Sequence, residues 1–531
     1  MELISQHAKK IMEECKSRAR DAGLSFDDET LEYIVSNRDL LELTPKHMIP
    51  TLYDYWLHDV IFLQERGKYE LYPHNPYETV INSRPAISFY NDNNPDWLNV
   101  MIFYHVLAHI DFFQNNHYFR HTWDDDFVGQ ALADKRLLNL LRSEHGRWVD
   151  YVIEFGRAID NLSDYYHELS KRNRPQYDIS ARVNYYFDHF IQDELHLPFH
   201  EYLKEIERYN KAKRLDSKCG EDIFFAEVRT KYPEFEQHFL KFHEKQPPAG
   251  RHDVMEFVIS KSPFLQKEEN QWMKTVLQII RKTSLYFQPQ IRTKIINEGW
   301  ASYWHEKLFM MDERVCGHEV DFARVHAKVT ALPTVGINPY AIGMRLFQMI
   351  EEKARLGRLS YEYDNETLVE KRKNFHRPGP DPSEVLFQVR ENENDFSFIS
   401  RFVDQDFVDR FKLFVTERRL NSQQQVWEYV IKSRNAEEYR QMLLDSLYHP
   451  PHIQVDSAET SDDLLRLTHR FEGKQLIREY IQPVMLGLEY LWGAPVELET
   501  TIFRQKKPVR VIFRMENQHL SHRDAPTSKE S

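Results

Sequence analysis

WLNVMIFYHVLAHIDFF, residues 97–113, is the stretch that decides the fold. It is apolar nearly all round, with no alternation of period two. A helix of that character is buried on every side. The spacing predicts a helix from Trp97 to about Phe119, preceded by NDNNPD (91–96), whose Asn and Asp residues suit an N-cap. Two imidazoles ride on it. At about 100° per residue, His105 and His109 fall within about 40° of each other on one face. Asn116 and Phe112 lie on the same stripe. Polar groups on so apolar a helix are desolvated and need partners.

A second helix, expected from near Gln288 to about Met311, carries NEGWASYWH (297–305). Glu298 and His305 stand two turns apart on one face, with Ser302 near it. The i, i+4 histidine pair is the chelating spacing of the zincin metalloproteases, but the position of their general base is Val106. His105, His109 and Glu298, with or without His305, would make a mixed nitrogen and oxygen set for one divalent metal. Zinc suits it first, iron or manganese next. Glu298 would otherwise be the base that activates a metal-bound water, and His305 a proton donor. The competing reading is a buried hydrogen-bond network with no metal. In it Asp111, Asn115, Asn116, Asn297 and His326 join the histidines. His196 and His200 repeat the spacing around Pro198, which weakens a helical reading there. Ser302 and His305 lack the elbow of a serine nucleophile.

Around these helices the chain reads as mainly α. Residues 1–65 are expected as helices and 65–77 as a loop. ETVINSRPAISFY (78–90) is expected as a short hairpin or two edge strands. Helices are expected through 126–210 and 221–290, and again after INPY (337–340). EVDFARVHAKVTALP (319–333) fits helix or strand. Residues 361–382, ending in HRPGPDP, look like a linker between a helical domain (1–360) and a smaller α+β domain (383–516). EVLFQVR (384–390), PVELETTIF (495–503) and PVRVIFRME (508–516) are strand-like, and 517–531 is a polar tail expected to be disordered.

Composition narrows the function. The 531 residues include only 16 Gly, and no Gly-rich phosphate loop is present. A net charge of -13 disfavours nucleic acid, and the basic runs KAKR (211–214) and KRK (371–373) read as solvated helix faces. Three distant cysteines, Cys15, Cys219 and Cys316, suggest reduced thiols and a cytoplasmic setting. No apolar run reaches the length of a membrane span.

The sequence resembles the SpoVR family, stage V sporulation protein R and its relatives. The matching strings are YETVINSRPAISFY (77–90), HVLAHIDFFQNNHYF (105–119), PQIRTKIINEGWASYWHEKL (289–308), INPYAIGMRLF (337–347), LFQVRENENDFSFISRFV (386–403) and YLWGAPVELET (490–500). They fall in family order. Ala108 and Gln114 stand where the family commonly has Gly and Lys. The resemblance implies a cytoplasmic protein tied to assembly of the spore cortex, a peptidoglycan layer, or to related stress-phase physiology. It also implies, as partners, a serine protein kinase and a von Willebrand-type domain protein.

Overall fold

A computed structural model describes the chain except residues 1, 28, 37–77, 123–126, 174–179, 196–198, 216–218, 246–252, 378, 380, 422–424, 505–506 and 526–531. The apolar stretch forms the expected helix, Asp96–Asn115, followed by a short 3-10 turn at His117–Phe119. Every residue from Val100 to Phe113 is buried. Its start differs from expectation. The N-cap is Pro95, without a side-chain hydrogen bond, and Asn91 instead accepts from the Asn93 backbone N–H at 2.9 Å.

The second site helix is Lys294–Met311. The run expected from Gln288 is interrupted at Thr293, where a preceding helix, Gln271–Arg292, ends. No residue of its own sequence caps the new start. The Asp395 carboxylate does so from 100 residues away, accepting from the backbone N–H of Ile295 (3.0 Å) and Ile296 (2.8 Å). A carboxylate there satisfies orphan donors and meets the positive end of the helix. Burial pushes the Asp395 carboxyl up to about 7, against the opposing pull of those backbone donors.

A third helix, Pro339–Arg355, has Asn338 as N-cap and Pro339 in its first turn. It crosses the Glu298 helix with backbones touching. A Cβ on Gly299 would lie 2.4 Å from Gly343 Cα, and one on Gly343 would lie 2.2 Å from the Ile295 carbonyl oxygen. Glycine at both positions permits the crossing, which fixes the depth of Glu298.

These three helices form the first hydrophobic core with Gln6–Asp21, Pro382–Asn392, Asp395–Phe402 and Ala436–Ser446. A second core joins Phe127–His145, Trp148–Ile159, Val254–Lys261, Gln271–Arg292 and Arg478–Trp492 to a five-stranded sheet. A third, aromatic cluster packs Tyr185, Tyr186, Phe190, Phe224 and Phe235.

The strands, in chain order, are β1 (Glu2–Leu3), β2 (Thr30–Val35), β3 (Glu78–Ile81), β4 (Ala86–Asn91), β5 (Val415–Asn421), β6 (Val426–Ser433), β7 (Ile453–Val455), β8 (Leu465–His469), β9 (Val496–Arg504), β10 (Lys507–Glu516) and β11 (His519–Asp524). The expected hairpin is β3–β4, antiparallel with Glu78 opposite Tyr90, inside a sheet of order β1-β2-β4-β3. The sheet of the second core runs β11-β10-β9-β8-β7, with β8 and β9 parallel. β5 and β6 form a separate ribbon.

Several expectations are corrected. Within 1–65 the described helix is Gln6–Asp21, and Thr30–Val35 is a strand. Residues 37–65 and the 65–77 loop lie outside the described residues. Residues 384–390 are helical, because Asp381 caps and Pro382 opens the helix Pro382–Asn392. Residues 319–329 take the helical one of the two forms expected for them. The expected linker holds two short helices, Tyr361–Asp364 and Val369–Lys373. It folds back so that Arg358 donates to the carbonyls of Lys373 and Phe375. The expected tail supplies β11, while 526–531 lie outside the described residues. Residues 386–443 contribute to the first core and residues from Leu465 onward to the second.

Candidate metal centre

The His105 and Glu298 helices pack as an antiparallel pair. His105 meets His305 while His109, one turn further on, meets Asn297, one residue before Glu298. A buried staple holds the pair in register. Asp111 is fully buried and accepts from Trp300 Nε1 at 2.9 Å and from the Ser25 backbone N–H at 2.8 Å. Arg390 Nε lies 3.5 Å from the same carboxylate. Burial raises the Asp111 carboxyl to about 6, with Arg390 pulling the other way.

Three groups converge in the register so fixed. Nε2 of His105 and Nε2 of His109 lie 3.1 Å apart. Glu298 Oε2 is 3.5 Å from His109 Nε2 and 3.9 Å from His105 Nε2. One ligand atom from each residue fits within 4.8 Å of the others. Bonds of about 2.0–2.1 Å in tetrahedral geometry place ligand atoms roughly 3.3 Å apart, so the spacing suits one ion. Glu298 Oε2 is buried and has no hydrogen-bond partner. An orphaned buried carboxylate oxygen is costly unless something else meets it.

The far sides of both rings are already engaged. His109 Nδ1 meets Asn297 Oδ1 at 2.8 Å, and His105 Nδ1 meets His305 Nδ1 at 2.9 Å. Such outer contacts fix tautomer and ring orientation at metal sites. Tyr340 stacks on His105 and Phe113 on His109, with centroids 6.1 and 6.0 Å apart. Burial, then the neighbouring histidines, hold His105 well below the usual imidazole range. The neutral form so favoured is the one that ligates metal.

His305 is not brought to the common point. It stands behind His105, and its Nε2 meets His326 Nδ1 at 2.9 Å. His326 Nε2 in turn lies 3.7 Å from Glu306 Oε1, which is partly exposed. Burial pushes His305 well below the usual imidazole range and His326 down to about 4. Asn115 and Asn116 do other work. Asn115 donates to the carbonyls of Ser25 and Asp111, and Asn116 to those of Arg390 and Glu393. Both tie chain segments together rather than reaching the cluster. Ser302 is buried with its Oγ unpartnered. The side chains of His196 and His200 lie outside the described residues.

A cavity of about 650 Å³ reaches the cluster. His105, Glu298 and His305 lie on its lining, with Lys294, Lys328 and Tyr340. Sequence reasoning missed the two lysines, Tyr340, Glu306 and the Asp395 cap. Tyr340 sits in the INPYAIGMRLF string, which offered a signal. Glu306 and Asp395 also sit inside quoted strings, 289–308 and 386–403, but nothing in their local pattern set them apart.

A buried histidine pair and carboxylate held between two motif helices define a family-type site, and comparison gives the family. The chain belongs to the SpoVR family, whose model, SpoVR like protein, matches residues 3–450. It is similar to the uncharacterized protein YcgB of Escherichia coli (strain K12), 25% identical over 490 residues, covering 88% of this chain and 86% of that protein. No solved structure matches it. Among the described residues, no helix is long and apolar enough to cross a membrane.

Proposed function

We propose that this protein is a metal-dependent hydrolase in which His105, His109 and Glu298 hold one divalent cation. The observation that carries the reading is Glu298 Oε2, buried, unpartnered, and facing two imidazole nitrogens whose opposite ring atoms are engaged. Two histidines and a glutamate suit zinc first, with iron and manganese next. A cation there would supply Lewis acidity and lower the pKa of a bound water toward neutrality.

With Glu298 a ligand and Val106 in place of the usual base, proton traffic falls to His305. It lines the cavity and passes to His326 and Glu306. Lys294, Lys328 and Tyr340 would orient the substrate from the walls. Family resemblance suggests an amide in peptidoglycan precursors or a regulatory target. It also suggests a role in cortex assembly or stress-phase physiology, in the cytoplasm. The suggested partners are a serine protein kinase and a von Willebrand-type domain protein.

Elemental analysis of protein purified without a His tag tests this. About one equivalent of metal is expected, falling sharply in His109→Ala. No bound metal in the wild type would sink the reading.

A non-catalytic assembly factor is the second reading, favoured by one observation. The chain His109–His105–His305–His326 is continuously hydrogen-bonded without an ion. It predicts that His105→Ala mainly lowers stability. A well-folded His105→Ala protein that has lost function would count against it.

A further inference from the structure

A second cavity, of about 1320 Å³, opens on the other side of the Asp395 cap, between the two large cores. Its walls are mainly apolar, with Leu162, Leu447, Ile481, Met485 and Leu488 among them. Charges on its rim pair off. His449 meets Glu472 at 2.8 Å and Lys474 meets Asp445 at 3.2 Å.

Arg292 is the exception. Its Nε donates to Gln288 Oε1 at 3.1 Å, a neutral acceptor. Among the described residues no carboxylate lies within ion-pair distance of it. Its guanidinium instead sits against three rings, with its carbon 4.7 Å from the Tyr166 centroid, 5.4 Å from Tyr448 and 5.8 Å from Tyr165.

Two side chains that share the lining with Arg292, Tyr448 and Asn161, hold buried polar atoms without a hydrogen-bond partner. Tyr448 Oη lies beside the buried Gln288 amide, and its own O–H has no acceptor. Asn161, also on the lining, has its amide oxygen buried and unpartnered. Of the carboxyls in the region, Asp395 is committed to the helix backbone, and Asp160, which acts on Tyr448, is pushed up to about 6 by burial. A half-buried guanidinium with an idle hydroxyl donor beside it, at one side of an apolar cavity, is complementary to an anion carried on an apolar body.

We propose that this cavity binds an amphiphile with a single anionic head, a carboxylate or a phosphate ester, seated at Arg292 and Tyr448 with its chain along Leu447, Met485 and Leu488. This site is separate from the metal cluster and does not depend on it.

Calorimetric titration of the full chain tests it, with four C12 probes kept below their micelle concentrations. Dodecanoate and dodecyl phosphate share the head-group charge and distinguish its two sources. Dodecanol and dodecyltrimethylammonium are the neutral and cationic controls. At least one anion is expected to bind tenfold or more tighter than dodecanol, with the cation weaker still. Arg292→Gln should reduce the anion to the level of dodecanol, and Leu447→Trp should abolish binding of all four. Should Arg292→Gln fail to fold, Tyr448→Phe must weaken the anion at least threefold. Equal affinity for dodecanol and both anions, no binding of either anion, or an unchanged affinity in Arg292→Gln or Tyr448→Phe overturns the proposal.

Discussion

Glu298 Oε2 lies 3.5 Å from His109 Nε2, and that imidazole is braced from behind by Asn297 Oδ1 at 2.8 Å. Consecutive residues on one helix thus face the same ring from its two nitrogens. The arrangement separates holding an ion from aiming the ligand.

Asn297→Ala should therefore leave the fold intact and weaken metal binding. Loss of an outer-shell partner of this kind costs roughly 10–100-fold in affinity. Competition against a chromophoric chelator would measure it. Unchanged affinity in Asn297→Ala would remove Asn297 from the site.

The pH dependence of stability has a definite sign at the histidines. His326 is held down to about 4, and His105 and His305 well below their ordinary value, by burial. The unfolded chain takes up these protons near pH 6.5 and the folded chain does not. The contribution is thus present above about 6.5 and is lost as pH falls toward 4. Asp111 and Asp395, raised to about 6 and about 7, act oppositely and favour the folded state as pH falls through that range. Comparing the wild type with His326→Gln cancels the carboxyl contribution. In urea titrations with a chelator present, the variant should lose less stability between pH 6.5 and 5. Parallel curves would exclude the neutral-histidine account.

Gly299→Ala should fail for a steric reason. The new Cβ would lie 2.4 Å from Gly343 Cα, a backbone atom that moves only with its helix. Overpacking of this kind costs about 1–3 kcal/mol, and more when backbone must shift. Because the two helices must part and Glu298 rides on the Gly299 helix, thermal stability and metal content should fall together. A variant with wild-type melting and metal content would show that the crossing is looser than it stands here.

How much of this was legible in sequence depended on what each residue answers to. The two site helices were readable because burial on all sides leaves an unmistakable apolar run, and helical angle alone placed His105 beside His109. Angle misled at His305. It shares a face with Glu298, but seven residues span about 10.5 Å along the axis. The antiparallel partner offers His105 to His305 and His109 to the Asn297 and Glu298 turn. The helix 382–392 was misread because EVLFQVR has strand-like residues, while Asp381 and Pro382 set its start. The Asp395 cap and the Gly299–Gly343 contact join distant segments, and no local pattern records them.

Asp111 separates structure from site. It lies six residues from His105, but its carboxylate serves Trp300, the Ser25 backbone and Arg390 rather than the cluster. Removing it would leave the buried Trp300 Nε1 unsatisfied, free the Ser25 backbone N–H and leave a buried guanidinium uncompensated. Breaking such a buried pair costs about 3–5 kcal/mol. Asp111→Ala should show a large loss in urea denaturation. Asp111→Asn, which keeps one acceptor oxygen, should lose less. Because the ligand atoms themselves are untouched, the folded fraction of Asp111→Asn should still carry its metal. Metal lost from well-folded Asp111→Asn would mean that the staple sets the site geometry directly. Full stability in Asp111→Ala would mean that the two helices are held by apolar packing alone.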